Sequence, residues 1–87
     1  MWRITKDNLA DPEDKPGTNS NAVGLTSTIF RDIVPLPHKF RMLDDDGAVY
    51  YEGLSNFESF APLDDFGGPN AGCTMIEYQN NGKWELL

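Results

Sequence analysis

Apolar and polar residues alternate with a period of two at several places along this chain. Trp2 and Ile4 are separated by Arg3, and short β-forming runs recur between turn signals from Phe40 onward. This is the pattern of strands with one buried face. Residues 40–43 and 48–52 flank Asp44-Asp45-Asp46-Gly47. An Asp-Gly pair between β-formers signals a hairpin, because both central residues of a type I′ turn need positive φ. With Asp46-Gly47 as the loop, Leu43 faces Tyr50 and Arg41 faces Glu52, an opposite-charge pair that supports the register. A second hairpin joins 74–79 with 83–87. A three-residue loop, Asn80-Asn81-Gly82, sets Tyr78 opposite Trp84 and Ile76 opposite Leu86, giving one apolar face. A two-residue Asn81-Gly82 loop would instead set Trp84 opposite Gln79 and Tyr78 opposite Glu85, and the bulged form is preferred on that comparison.

Between the hairpins the period changes. Ser55-Asn56-Phe57-Glu58 fits a capping box, so a helical turn is expected to start there. Pro62 should end or interrupt it, and residues 63–66 can form another turn closed by Gly67-Gly68-Pro69. Phe57, Phe60, Leu63 and Phe66 are expected to cover one face of the sheet. Residues 7–24 are dense in Asp, Asn, Pro, Gly and Ser and predict a long, loose loop. Val23, Leu25, Ile29, Phe30, Ile33 and Val34 suggest a short element of undetermined type near 25–34, followed by an extended Pro35-Leu36-Pro37 run. With Trp2 and Ile4 as an edge strand, the expected fold is α+β and mostly β. It is a small four- to five-stranded, largely antiparallel sheet of hairpins with one or two short helical turns, forming a single domain over 1–87.

Composition narrows the class. A chain of 87 residues with 39% hydrophobic and 11% aromatic residues is too apolar to stay disordered and has room for one small core. The single cysteine, Cys73, excludes an internal disulfide and a multi-cysteine zinc site, which fits a reducing compartment. No signal-peptide run and no membrane-length apolar stretch is present, so a soluble cytoplasmic protein is expected.

Charge is distributed unevenly. The net charge is −7, and residues 42–82 carry eight acids without one Lys or Arg. A negative field of this kind repels nucleic acid and anionic membrane and attracts basic protein surfaces. The candidate partner-binding residues are Asp44, Asp45, Asp46, Glu58, Asp64 and Asp65, with Tyr50 and Phe66 as apolar anchors. Catalytic motifs are not evident. Cys73 and His38 would need to meet to make a nucleophile and base, and Cys73 sits in a small-residue run that reads as packing. Asp44, Asp45, Asp46 and Glu52 do not have calcium-loop spacing, since Gly47 comes fourth and Glu52 ninth from Asp44. Neither metal nor cofactor is expected, and the chain is read as non-enzymatic.

The runs Arg41-Met42-Leu43-Asp44-Asp45-Asp46-Gly47, Tyr50-Tyr51-Glu52-Gly53, Phe60-Ala61-Pro62-Leu63-Asp64-Asp65-Phe66-Gly67 and Asn70-Ala71-Gly72-Cys73-Thr74, with Ile76-Glu77-Tyr78 and Gly82-Lys83-Trp84, resemble small uncharacterised acidic bacterial and phage-type proteins. The resemblance covers about half the chain and implies no activity. In size and acidity the chain is also similar to phage and mobile-element inhibitors of the anti-CRISPR and anti-restriction type. The expected function is therefore an acidic protein-binding module, a nucleic-acid mimic in its docking on a basic protein. The alternative is a small housekeeping domain that binds through its sheet face or its 7–24 loop, its acids serving solubility alone. The exposed edge of so small a sheet can also pair with a second copy, giving a homodimer.

Overall fold

Five strands are present in the computed structural model, which describes residues 1–18, 20–27 and 35–87. They are β1 (Trp2–Asp7), β2 (His38–Leu43), β3 (Val49–Ser55), β4 (Met75–Asn80) and β5 (Lys83–Leu86). They form one antiparallel sheet in the order β1-β3-β2-β4-β5. The expected small, mostly β fold is therefore the fold observed, with β1 as an edge strand. Of the element suggested near 25–34, residues 28–34 lie outside the described part. Residues 24–27 run along the free side of β1, with Ile4 N–H to Leu25 O at 2.9 Å and Ser27 N–H to Trp2 O at 3.1 Å.

Strand alternation puts Trp2, Ile4, Phe40, Met42, Tyr51, Ile76 and Tyr78 on one face, all buried. A π-helical turn (Leu63–Gly67) running directly into a short helix α1 (Gly68–Ala71) packs over that face. Leu63 and Phe66 join the core as expected. Each such buried side chain contributes about 1.5–3 kcal/mol relative to exposure, before ordering costs. Leu43 is buried too, yet it stands outside this cluster, as alternation from Met42 requires.

The first hairpin has the expected Arg41–Glu52 pairing, but Leu43 faces Val49 and not Tyr50. The reason is the Asp44 carboxylate. Its Oδ1 accepts the N–H groups of Asp46 (3.0 Å) and Ala48 (2.8 Å), and Gly47 N–H returns to Asp44 O at 3.1 Å. This side-chain turn draws three residues into the loop, with Gly47 at φ +83°, and leaves Tyr50 as a bulge in β3.

In the second hairpin the bulged register is overturned. Gln79 faces Trp84 and Tyr78 faces Glu85, across a two-residue loop with Asn81 at φ 52° and Gly82 at φ 78°. Those are type I′ conformations, whose twist matches the flanking strands. Trp84 consequently leaves the core face and lies against Arg41 on the other one.

The capping box does not form either. Ser55 Oγ bonds to the backbone of Phe57, Glu58 accepts from Asn80, and 56–60 is a series of bends. This segment is fastened to the sheet by the Tyr78 hydroxyl, which donates to Ser59 O (2.7 Å) and accepts from Ser59 N–H (3.1 Å). Phe57 (68% exposed) and Phe60 (48%) therefore lie outside the core they were expected to cover. Pro62 starts the helical segment, where its fixed φ and missing N–H cost nothing. The chain passes helically through Gly67 and Gly68 and stops at Gly72, φ +74°. Gly67 is there for space: a Cβ would stand 2.5 Å from Met42 Sδ.

Irregular as expected, the 7–24 loop is nevertheless tied. Asp7 Oδ1 accepts the N–H groups of Leu9 (2.9 Å) and Ala10 (3.1 Å), and Asp7 Oδ2 accepts that of Ala22 (2.9 Å). One carboxylate thus closes both ends of the loop. Among the described residues no helix is long and apolar enough to cross a membrane.

Candidate functional site

The acids of the first hairpin tip are held by backbone donors. Asp44 is drawn below the usual carboxylate range, first by the Ala48 N–H and, against a desolvation cost, also by the Tyr50 hydroxyl. In return the Asp44 charge raises the Tyr50 phenol above its ordinary value. The bulge leaves Tyr50 without a partner on β2, while its carbonyl still accepts the Asn8 N–H at 2.9 Å. Beside them Asp45 Oδ1 accepts the Thr74 hydroxyl at 2.6 Å, which joins the tip to the chain entering β4. Asp45 and Asp46 remain exposed.

A groove of about 540 Å³ opens next to this tip. It is lined by Asp7 at the end of β1, by Leu9, Asp14 and Ser20 of the front loop, by Tyr50 and Tyr51 of β3, and by Asn70 and Ala71 of α1. The Tyr51 hydroxyl accepts from the Asn70 amide at 3.1 Å. Burial raises the Tyr51 phenol above its usual value. The lining combines carboxylates with aromatic surface, the chemistry that receives a Lys or Arg side chain.

The structure brings only part of the expected set together. Asp44, Asp45, Asp46 and Tyr50 share the hairpin tip. Asp64 and Asp65 are exposed on the π-helical turn that covers the core face. Glu58 is separate: it holds Asn80 Nδ2 at 2.6 Å. Asn80 ends β4, whose first residue, Met75, pairs with Leu43 beside the tip. Five strand steps place Glu58 about 17 Å from the tip. Phe66 is a half-buried core ring, 4.9 Å from Tyr51 and 5.8 Å from Trp2 between ring centres.

Cys73 and His38 do not meet. Cys73 adjoins Gly67 beside the Leu43 end of β2, whereas His38 begins that strand, edge-on to Tyr78. The Cys73 thiol is buried, and burial pushes its pKa up to about 11, the reverse of an activated nucleophile. Among the described residues no three His, Cys, Asp or Glu side chains are placed to hold a metal ion.

Sequence reasoning missed Asp7 and Asp14, because a turn-rich run hides which carboxylates will line a groove. It also missed the basic face. Arg3, Lys39 and Arg41 stand on the sheet face opposite the helical turns, alternating with the buried Trp2, Ile4, Phe40 and Met42, and an irregularity between Ile4 and Lys6 brings Lys6 to the same face. Lys6 pairs with Glu52 (3.6 Å) and Arg41 with Glu77 (2.6 Å). The alternation of Lys39 and Arg41 with Phe40 and Met42 was the available signal. The chain matches no protein-family model, and comparison with curated proteins and with solved structures gives no match.

Proposed function

We propose that this protein is a non-enzymatic binding module that presents carboxylates to a basic surface of another protein. The observation that supports it is the placement of the exposed acids away from the bases of β1 and β2. Arg3, Lys6, Lys39 and Arg41 stand on the face opposite the helical turns, where Glu52 and Glu77 pair with two of them, whereas Asp64, Asp65, the Asp44-Asp45-Asp46 tip and the Asp7–Asp14 groove belong to the other side and to one end. Carboxylates set on a rigid frame meet the Lys and Arg of a nucleic-acid-handling protein in place of backbone phosphates, and act by competition. In this reading Tyr50 and the groove receive one basic side chain, and the surrounding acids steer the approach. Such inhibitors work in the cytoplasm, and the lone buried Cys73 suits that compartment. The resemblance to acidic phage-type proteins agrees with this reading but adds no partner.

A second reading rests on the sheet face opposite the helical turns, on which no helix among the described residues packs. A small domain that binds through that face, or through the 7–24 loop, would use its acids for solubility alone. Affinity capture from host cytoplasm followed by binding kinetics separates the two. Replacing Asp45, Asp46, Asp64 and Asp65 together with Asn should slow association and flatten its salt dependence, since exposed charges act through an encounter field screened within about 10 Å at 0.1 M salt. Wild-type kinetics in the quadruple variant would leave the second reading standing.

A further inference from the structure

On the face opposite the helical turns the strand registers line up a row of alternating charge. Lys6 on β1 faces Glu52 on β3, Glu52 faces Arg41 on β2, and Arg41 faces Glu77 on β4. Read across the sheet the row is plus, minus, plus, minus. Reversed, it is its own complement. A two-fold axis parallel to the strands, placed midway between β3 and β2, lays this row on that of a second copy so that Lys6 meets Glu77, Glu52 meets Arg41, and each contact occurs twice. Self-complementarity of this kind is what an isologous interface requires.

The extent of the sheet fits the same axis. Counting the segment 24–27 hydrogen-bonded along β1, the sheet is six chains wide, and its midline falls between β3 and β2. The two-fold therefore superposes whole face on whole face. It sets Trp84 and Leu86 of β5 against the 24–27 edge of the other copy. Leu86 is 63% exposed. Six chains at about 4.8 Å and some 20 Å of strand length cover roughly 500 Å² per copy. The total of about 1,000 Å² reaches the lower limit for a specific interface.

We propose that the chain forms a weak, salt-sensitive two-fold dimer by stacking these sheet faces, with a second copy of itself as the occupant. The apolar positions supply attraction, and the charge row sets the register, because interfacial ion pairs govern specificity more than affinity. Packed sheets twist by about 30° relative to one another, an offset that Lys, Arg and Glu side chains span. The helical turns bearing Asp64 and Asp65 then face outward on both sides, so one dimer offers two docking sides. The dimer itself does not depend on the docking reading.

Sedimentation velocity on wild type, Lys6→Glu and Glu77→Lys tests this, with circular dichroism confirming that each variant is folded. Wild type should dimerise with a dissociation constant that rises at least tenfold between about 0.05 and about 0.5 M salt. Each single variant brings two like-charge contacts to its own dimer and should weaken it at least tenfold. Mixing the two variants pairs every site with its opposite and should restore a heterodimer. Intramolecular roles predict no such rescue, since each substitution still breaks its own pair with Glu52 or Arg41. If either variant unfolds, the wild-type salt series decides. A chain that stays monomeric to about 1 mM, a dimer indifferent to salt, or folded variants that fail to associate on mixing would each overturn the proposal.

Discussion

The Arg41 guanidinium lies 4.4 Å from the centre of the Trp84 ring. Its Nε donates to Glu77 Oε1 at 2.6 Å, so one side chain joins β2 to both β4 and β5. This contact exists only in the two-residue register of the second hairpin. A three-residue loop would have sent Trp84 through to the core side. There, Phe40, Ile76 and Tyr78 already form part of the core, and the Tyr78 hydroxyl holds Ser59 of the 56–60 bends.

A double-mutant cycle should detect that stacking. Arg41→Gln and Trp84→Leu, measured singly and together by urea denaturation, are expected to couple by about 0.5–1 kcal/mol, the range of an exposed cation–π pair. Zero coupling would show that the ring and the guanidinium do not stack.

The same hairpin gives a sharper test of register. With Asn81 at φ 52° and Gly82 at φ 78°, both loop residues occupy the left-handed region. Asn81→Gly should be neutral or slightly stabilising. Asn81→Val and Gly82→Val should each cost about 1–2 kcal/mol, because a β-branched residue is strained there. A three-residue loop predicts a penalty at Gly82 alone, so the melting temperature of Asn81→Val distinguishes the two.

Gly53 in the middle of β3 marks the tightest point of the core. A Cβ added there would stand 2.3 Å from the Arg3 carbonyl oxygen and 2.5 Å from Phe40 Cζ. The oxygen is part of the β1–β3 ladder and cannot move aside. Gly53→Ala should therefore cost about 3 kcal/mol, the upper part of the range for overpacking. Gly47→Ala tests the tip, where nothing lies within 4 Å of the new carbon. There only the positive φ opposes the change, at roughly 1 kcal/mol. Equal losses of stability at the two sites would contradict this packing.

How much of this could be read from the chain depended on whether a signal was local. The Asp46-Gly47 and Asn81-Gly82 pairs located both hairpins, and Trp2 with Ile4 located the edge strand, because turn chemistry and alternation act over a few residues. The errors arose where a distant partner decided. Ser55 and Glu58 satisfy a capping-box spacing, but Glu58 is claimed by Asn80, twenty-two positions away. Gly67 and Gly68 look like a helix stop, yet Gly67 serves the close approach of Met42. Trp84 was assigned to the core for its hydrophobicity, whereas its ring stacks on a cation from another hairpin. Of the expected docking residues, those on the first hairpin tip were legible as a group. Their separation from Glu58 followed only from the strand registers.

The Asp44 carboxylate makes the first hairpin tip sensitive to acid. Its pKa is held below the unfolded value, chiefly by the Ala48 N–H, so the charged form favours the folded tip. A depressed carboxylate contributes stability that is complete above the unfolded pKa near 3.8 and is lost as pH falls through the folded value. Acidification below about pH 4 should therefore loosen residues 44–48 before it affects β4 and β5. Asp44→Asn keeps a side-chain acceptor but cannot titrate. Its stability should match wild type most closely at low pH and fall behind it at neutral pH. Amide exchange of Asp46 and Ala48, followed across pH in both proteins, provides the readout. Protection in wild type that is unchanged between neutral pH and pH 3, or an identical pH profile in Asp44→Asn, would mean that this carboxylate does not hold the turn.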